Sequence, residues 1–438
     1  MKNRLFKVAF ALLAMPFVWA AMAFDDAQTA RAESETAVQE LTLSSGDAAA
    51  PSADIPVNVE TFEADGTTHL LVSLQGPQQP SGPVDVVVLV DTSAAQMGKA
   101  IRSRAEETVS ALISGLPKGS RVDLMTADTE TKSLTGGLTE IDSPAIAEAL
   151  DALKKNTPMG AMDLGGALTA ATETLADNGA DRRSIVFVGR GLSTGTVFSG
   201  KEVDTVTRQM RDSRVTFSAY GNGTMVDNNA LSVLAYQTGG YVVDPNVDSG
   251  QTAGELLAKS EEATVYWPQN TGGLDGVELH PSLLPPIRSD RETAVVGTSA
   301  ESIGPVQLQV ETVTADGQDI ELDYVFRPRP SSDNNAWLRQ VSRQASSDDG
   351  LTLPFAGRRN VDEYKASLKK LNSDNVAAAR EALDEGNPEQ SKQIVLETAE
   401  DAPETEGLQD VLYAAIRESE MFQRAEEALD NQESGVSL

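Results

Sequence analysis

An aspartate and a serine follow a largely apolar stretch of this chain. The run Val84–Val90 predicts a strand that is buried on both faces, and Asp91 and Ser93 come directly after it. In an open α/β sheet, ligands bind beyond the carboxyl ends of the strands, in the crevice where the strand order reverses. Oxygen atoms of carboxylates and hydroxyls at such an edge suit a hard cation such as magnesium. We therefore expect Asp91 and Ser93 to point into a binding crevice.

The rest of the sequence offers few groups for catalysis. It contains no cysteine, which excludes a disulfide, a thiol nucleophile and a thiolate metal site. Its two histidines, His69 and His280, are too far apart in sequence to form a local zinc or haem motif. Ser93 as a nucleophile would need a general base within reach, and the sequence places none beside it. We predict that the protein is not an enzyme.

The elements that must position Asp91 and Ser93 alternate between strands and helices from Val84 to about Ser260. Arg121–Thr126 has strand character, Pro144–Lys155 has helical character, and the same alternation continues to the end of this region. This alternation predicts a doubly wound parallel sheet that is covered by helices on both faces.

Several motifs within this α/β region occur in a recognisable order. In order along the chain they are Asp91-Thr-Ser-Ala-Ala-Gln-Met-Gly98, Pro158-Met-Gly-Ala-Met-Asp-Leu-Gly-Gly-Ala-Leu168, Ile185-Val-Phe-Val-Gly-Arg-Gly191 and Ala235-Tyr-Gln-Thr-Gly-Gly-Tyr241. Together they resemble a von Willebrand factor type A domain, whose signature after the first strand is Asp-x-Ser-x-Ser followed by Met-Gly. The resemblance covers about 175 residues and implies a doubly wound α/β fold and a role in protein binding.

The resemblance also implies a magnesium site, but this chain departs from its ligand set. Family members hold the cation with the Asp-x-Ser-x-Ser loop, a threonine of the second loop and an aspartate after the fourth strand. Here Ala95 replaces the second serine, Met162 stands at the threonine position and Arg190 stands at the aspartate position. Alanine has no donor oxygen, a thioether is a soft ligand, and a guanidinium brings positive charge. Only Asp91 and Ser93 remain, so we expect no magnesium and no other cofactor.

Arg190 admits two interpretations. Its guanidinium could take the place of the cation and pair with Asp91 in the bidentate geometry that arginine favours. The site would then be cationic without a metal and could attract an acidic residue of a partner. Alternatively, Arg190 points to solvent and the crevice is unused, since most surface charges are only solvated.

The beginning of the chain has the features of an exported protein. Residues 1–23 combine Lys2, Arg4 and Lys7 with an apolar run and the small-residue site Ala21-Met-Ala23, which predicts a signal peptide. Residues 24–54 are acidic and poor in bulky apolar groups, which predicts a flexible linker. No other segment is apolar enough to span a bilayer, so we expect no membrane span in the mature chain. The net charge of −31 argues against nucleic-acid binding.

Further modules are predicted on both sides of the α/β domain. We assign this domain to residues 83–262 and a β-sandwich-like module to residues 263–330, where short apolar stretches alternate with Gly and Asp turns. Strands within residues 55–80 are predicted to join that module. Residues 331–438 have a helical, strongly charged pattern that loosely resembles a tetratricopeptide unit. The predicted fold class is thus α/β, a doubly wound domain with an adjoining antiparallel β module and a C-terminal all-α region.

These features favour a protein–protein interaction or adhesion module. The expected partner is another exported or surface protein, which the chain would bind in the periplasm, at the cell surface or outside the cell without the usual metal. Two alternatives are a structural scaffold of the envelope and a metal-dependent adhesin with atypical ligands. The latter would be stabilised by magnesium or manganese, because a ligand of the native state raises its stability.

Overall fold

The computed structural model describes residues 55–176, 181–196, 198–243 and 251–434 of the 438-residue chain. The predicted signal peptide and linker lie outside these residues. In chain order the strands are β1 (Ile55–Ala64), β2 (Thr67–Leu74), β3 (Asp85–Asp91), β4 (Arg121–Ala127), β5 (Thr131–Ser133), β6 (Thr139–Glu140), β7 (Arg183–Gly189), β8 (Val215–Gly221), β9 (Val242–Val243), β10 (Val265–Gly272), β11 (Val277–His280), β12 (Ile287–Arg288), β13 (Thr293–Ser299), β14 (Val306–Val313) and β15 (Asp319–Phe326). The helices are α1 (Lys99–Gly115), α2 (Pro144–Lys155), α3 (Leu164–Ala176), α4 (Gly200–Asp212), α5 (Asn228–Thr238), α6 (Ala253–Ser260), α7 (Trp337–Asp348), α8 (Arg358–Asp384), α9 (Pro388–Asp401) and α10 (Leu408–Ser434).

A mainly parallel sheet forms the centre of the α/β domain. Its order is β5-β4-β3-β7-β8-β9, with the short β6 also paired to β4. β3 runs parallel to both β4 and β7, so the chain moves outward from β3 in both directions. The strand order therefore reverses beside β3, and the crevice for a ligand is expected at the ends of β3 and β7.

The apolar sequence of β3 is explained by its position between two cores. Val87 and Leu89 belong to one core cluster, whereas Val86 and Val88 belong to the other. Successive side chains of a strand point to opposite faces, so a strand covered by helices on both sides needs apolar residues at every position. After the apolar residues Val86–Val90, the next polar side chain of the strand is Asp91, at its carboxyl end.

The strands outside the α/β domain form an eight-stranded sheet in the order β11-β13-β2-β1-β15-β14-β10-β12. β1 connects its two halves, because residues 55–57 pair in parallel with β15 and residues 58–64 pair antiparallel with β2. The other pairings are antiparallel. Val72 and Val295 from one half share an apolar cluster with Tyr266 and Leu308 from the other. The two halves therefore pack against each other and enclose one core.

The C-terminal helices belong to the same folded unit. Leu338 and Val341 of α7, together with Phe355, lie in the core cluster that also contains Tyr236 of α5 and Val296 of β13. Further along, α8, α9 and α10 enclose a smaller apolar cluster of their own. The predicted fold class is confirmed: a doubly wound α/β domain carries added β-sheet structure and C-terminal helices. None of the described helices is long and apolar enough to cross a bilayer.

Candidate functional site

The site lies where β3 and β7 end. Asp91 is the last residue of β3, and Arg190 directly follows β7. Ser93 precedes a single 3-10 turn, Ala94–Gln96, which leads into α1. Neighbouring loops are fixed to this segment by backbone hydrogen bonds, since Met159 N donates to Thr92 O at 3.0 Å and Ala94 N donates to Gly160 O at 3.0 Å. The polar residues at the strand ends are therefore held within a network of well-connected loops.

The carboxylate of Asp91 is surrounded by N–H donors. The Ser93 backbone N–H donates to Oδ1 at 2.9 Å, and the Arg190 backbone N–H donates to Oδ2 at 3.4 Å. The strongest side-chain contact comes from Gln96, whose Nε2 donates to Asp91 Oδ2 at 2.9 Å and to Asn222 O at 3.1 Å. Asp91 and Gln96 are each only 4% exposed. Buried charge requires such pairing, so these bonds stabilise Asp91 within the protein.

Gln96 is a site residue that sequence reasoning missed. It lies within the motif that follows β3, five positions after Asp91, but glutamine is not a ligand of the family's metal site. One feature of the sequence could have identified Gln96: it is an amide side chain in the turn that directly follows the buried carboxylate of Asp91. Because amide groups carry donors as well as an acceptor, glutamine can satisfy a carboxylate without adding charge.

Arg190 follows neither of the two interpretations derived from the sequence. Its side chain is only 7% exposed, and among the described residues its guanidinium forms no ion pair, with Asp91 or any other carboxylate. Instead, its aliphatic part lies against Gly223, where an added Cβ would stand 2.7 Å from Arg190 Cγ. Gln96 Nε2 already donates a hydrogen bond to Asp91 Oδ2. The Arg190 side chain instead packs against Gly223 and forms no bond with this carboxylate. Only the backbone of Arg190 reaches Asp91.

The two other altered positions contribute no side-chain oxygen. Ala95 lies in the 3-10 turn, and Met162 is 1% exposed and belongs to the apolar core cluster around α3. Among the described residues, only the backbone of Met162 forms hydrogen bonds, and two of them join it to Thr194. Its N–H donates to Thr194 Oγ1 at 3.0 Å, and its carbonyl accepts from Thr194 N at 2.9 Å. Across the described ranges, no group of three or more acidic or histidine side chains could hold a metal ion.

Several buried donors around this site have no acceptor. Within the described part of the chain, Ser93 Oγ, Arg190 Nε and Arg102 Nε are buried and have no hydrogen-bond partner. Arg102 also lines a cavity of about 30 Å³ with Asp91 and Gln96. Buried polar groups nearly always find a partner, so an unpaired donor indicates a position for water or a ligand. The free groups here are two guanidinium N–H donors and one hydroxyl, which is a donor-rich environment.

Three exposed methionines lie on the loops around the site. Met97 follows the 3-10 turn, Met159 lies on the loop before α3, and Met225 lies on the loop between β8 and α5. Their exposed fractions are 59%, 64% and 71%. Met225 also has a φ of 58°, a left-handed conformation that is unusual for a residue other than glycine or asparagine. We call Met97, Met159 and Met225 the methionine rim.

A second polar cluster lies away from this edge, on the eight-stranded sheet. His280 Nε2 is 3.1 Å from Ser346 Oγ, and His280 Nδ1 is 3.3 Å from Asp349 Oδ1. Asp349 also accepts hydrogen bonds from the backbone and hydroxyl of Ser282. Acyl transfer needs free N–H donors beside the nucleophile, whereas Ser346 lies inside α7, where backbone N–H groups bond along the helix. This cluster fastens α7 to the end of β11.

The chain is similar to several known proteins. Residues 84–244 match the family described as von Willebrand factor type A domain. Among solved structures, the chain is similar to von Willebrand factor type A from Catenulispora acidiphila, with 13% identity, coverage of 78% of this chain and 86% of that chain, and a TM-score of 0.44. It is also similar to the ArnB paralog VWA2 from Sulfolobus acidocaldarius, with 14% identity, coverage of 82% and 92%, and a TM-score of 0.39. No curated protein matches the chain.

Proposed function

Because residues 84–244 match the family of von Willebrand factor type A domains, we propose that this protein is an exported, non-enzymatic binding module that engages its partner without magnesium. Domains of this family serve in general as protein-interaction modules. The observation that supports binding without magnesium is the set of hydrogen bonds to the Asp91 carboxylate. Its two oxygens accept from Ser93 N, Gln96 Nε2 and Arg190 N, so the carboxylate is stabilised by the protein itself.

The donor set supports the same conclusion. Magnesium requires near-octahedral coordination by hard oxygen atoms. Ala95 has no oxygen, the side chain of Met162 is in the core, and the Arg190 guanidinium is a fixed positive charge beside the site. Of the four other ligand positions, Ser93, Ala95, Met162 and Arg190, only Ser93 carries a side-chain oxygen, and within the described residues this Oγ has no hydrogen-bond partner. A single hydroxyl beside an arginine does not make a magnesium site.

Thermal unfolding with chelator and then with millimolar magnesium or manganese tests the metal-free mode. We expect no change in the Tm of the natural chain, because a ligand stabilises the native state only if it binds there. The triple reversion Ala95→Ser, Met162→Thr and Arg190→Asp is expected to become metal-responsive. At a metal concentration about 100 times Kd the gain would be about 2.7 kcal/mol.

The matched control adds Asp91→Asn to the reversion and should abolish the response, because it removes the original carboxylate. A specific rise in the Tm of the natural chain with either metal would refute metal-free binding. The protein would then be a metal-dependent adhesin with atypical ligands.

Export is tested by the N-terminus of the protein after expression in a bacterial secretory host. We expect cleavage after Ala23, so that mass spectrometry finds Phe24 as the first residue. The double variant Leu12→Arg and Leu13→Arg interrupts the apolar run and should keep the chain uncleaved inside the cell. A natural chain that retains Met1 and stays with the cytoplasmic fraction would contradict export.

A further inference from the structure

We infer that a cavity at the amino ends of β7 and β8 binds a small monovalent anion of the size of chloride, and that this ion joins the α/β domain to the hairpin β14–β15. The cavity lies at the opposite end of the sheet from Asp91, so its ligand is independent of the partner proposed above. Four arginines line it, although the whole chain carries a net charge of −31.

The cavity has a volume of about 30 Å³ and is lined by residues of both sheets. Arg183 is the first residue of β7, and Arg214 directly precedes β8, which pairs with β7. Trp267 of β10 and Ala315, which follows β14, contribute from the eight-stranded sheet. We call this space the arginine cavity, and its charged lining consists of Arg182, Arg183, Arg214, Arg288 and Glu261.

Three of the four arginines have no carboxylate partner. Arg288 is paired with Asp290. Among the described residues, no carboxylate forms an ion pair with Arg182, Arg183 or Arg214. Positive charges at the edge of a protein interior are stabilised only when an anion or an acceptor lies close to them. The three unpaired arginines therefore leave room for a counter-ion.

Glu261 supplies part of the missing charge. It is buried, and its Oε1 accepts from Ser218 Oγ at 3.1 Å. Burial raises the pKa of Glu261, and burial also lowers the pKa of Arg182, so the charged form of each group is disfavoured where it lies. One carboxylate beside three unpaired arginines leaves a surplus of two positive charges in the lining.

Arg183 and Arg214 also have unused N–H donors. A guanidinium carries several donors, and those of arginine are arranged as a planar fork. Within the described residues, the Arg183 side chain donates only to Ser213 O, at 2.9 Å, and its Nε is buried without an acceptor. The Arg214 side chain makes one long contact, from Nη1 to Thr314 O at 3.5 Å. Buried donors nearly always find a partner, so these indicate a position for water or an anion, and the surplus of positive charge favours the anion.

The backbone of Arg214 gives independent support for a role of its side chain. Its φ is 50°, in the left-handed region that glycine adopts readily and that a residue with a Cβ rarely adopts. A glycine would form this turn with less strain, so the turn by itself does not explain an arginine. The side chain extends towards the hairpin β14–β15, where Nη1 would lie 3.7 Å from a Cβ at Gly317. An anion bound by Arg183 and Arg214 would therefore join the parallel sheet to this hairpin.

The size of the arginine cavity selects the ion. One water molecule needs at least about 10–15 Å³ of such volume, so the cavity has room for only about two. Chloride is little larger than a water molecule and fits this space, whereas a tetrahedral oxyanion such as sulfate needs room for a central atom and all its oxygens. The negative field of the whole chain also repels a divalent anion more strongly than a monovalent one.

Chloride NMR spectroscopy on the intact natural chain tests the inference. Exchange between solution and a protein site broadens the chloride signal, and the broadening disappears when a competitor occupies the site. We expect the protein to broaden the signal, and bromide to remove the excess width at matched ionic strength, whereas sulfate should not. Crystals grown in sodium bromide should show an anomalous scattering peak between the guanidinium groups of Arg183 and Arg214.

Two variants of the lining should act in opposite directions. Arg183→Gln should weaken chloride binding about 10- to 100-fold, the range for a hydrogen bond to a charged group, and its amide can still donate to Ser213 O. Glu261→Gln keeps an acceptor for Ser218 and removes a like charge from the cavity, so it should tighten binding about 10-fold or more. A merely structural role of these residues would weaken binding in both variants.

Arg208→Gln is the matched control, because it removes the same charge from an exposed position on α4. It should leave the affinity for chloride unchanged. Equal losses in Arg183→Gln and Arg208→Gln would show diffuse attraction instead of a site and would overturn the inference. The Tm of each variant is measured first, and the competition and the bromide peak of the natural chain decide the matter even if a variant is unstable.

Three results with the natural chain would also overturn the inference. These are a chloride signal that the protein does not broaden, sulfate that displaces chloride as well as bromide does, and a bromide peak elsewhere, for instance beside Arg190. None of these outcomes bears on the proposed function, because Asp91 lies at the other end of the strands.

Discussion

Replacing Gly240 with alanine is expected to lower the free energy of unfolding by more than about 4 kcal/mol, a large part of the roughly 5–15 kcal/mol that is typical of native proteins. A Cβ at this position would lie 1.6 Å from the backbone oxygen of Phe217 and 2.2 Å from its carbonyl carbon. Phe217 is in β8. Tyr241, the residue after Gly240, is hydrogen-bonded to the same strand, because Ala219 N donates to Tyr241 O at 2.7 Å. The clash is with backbone, so no change of rotamer relieves it.

Gly200 provides the control for this substitution. It is the first residue of α4, and nothing lies within 4 Å of a Cβ built there. Gly200→Ala should therefore be neutral or stabilising by up to about 1 kcal/mol, because alanine favours the helix and loses less backbone entropy on folding. Chemical denaturation followed by circular dichroism measures both variants. If Gly240→Ala unfolded within about 1 kcal/mol of the natural chain, the close approach of this loop to β8 would be incorrect.

Replacing Arg288 with methionine should lower the free energy of unfolding by about 3–5 kcal/mol, the usual result when one partner of a buried ion pair is removed. Arg288 is 2% exposed and donates to both carboxylate oxygens of Asp290, at 2.7 and 2.8 Å. Its remaining donors reach Gly239 O at 2.8 Å and Ser260 O at 2.7 Å. The side chain thus joins β12 to the end of α5 and the end of α6.

The same pair predicts how the effect depends on pH. Burial by itself raises the pKa of Asp290, but the charge and hydrogen bonds of Arg288 outweigh it and hold the pKa below its ordinary value of 3.8. A carboxyl group with a lowered pKa in the folded state adds stability above its unfolded pKa, and this stability is lost as the pH falls through the folded pKa. In Arg288→Met, burial without the arginine raises the pKa of Asp290, so the difference between the variant and the natural chain should shrink as the pH falls from that raised pKa to the lowered pKa of the natural chain.

Arg208→Met serves as the control for Arg288→Met. Arg208 is largely exposed on α4 and pairs with Asp204 at 2.8 Å, one helical turn away. An exposed pair of this kind contributes about 0.3–0.5 kcal/mol, so its loss should be barely measurable. Equal effects of the two methionine variants, or a difference that does not change with pH, would contradict the role assigned to the buried pair.

The doubly wound domain could be predicted from local sequence alone, and the two types of element explain why. Val86–Val90 is apolar at every position, which only a strand covered on both faces requires. The helices between strands carry their own start signals, such as Pro144 after the capping residue Ser143. These features depend on neighbours in sequence, so no knowledge of the tertiary structure is needed to interpret them.

Other strands gave weaker local signals. The sequence did not predict β10, β11 and β12, which include short or mixed stretches such as Val265–Gly272. β10 is a strand because β14 and β12 pair with its two sides, including Trp267 with Val313 and Tyr266 with Ile287. Strand formation there depends on distant partners, and strand propensity itself is strongly dependent on context.

By itself, the sequence determined the order of the parallel strands and the helices in the α/β domain, although not the short β5 and β6. It also determined which atoms positions 95, 162 and 190 could offer. An alanine has no oxygen and an arginine is charged wherever the fold places them. Only the tertiary structure decided that Gln96 rather than the Arg190 guanidinium would bond Asp91 Oδ2. The physical reason is that the direction of a side chain in a loop is set by packing. Contacts such as that of Arg190 with Gly223 form between residues far apart in sequence, and no local pattern encodes them.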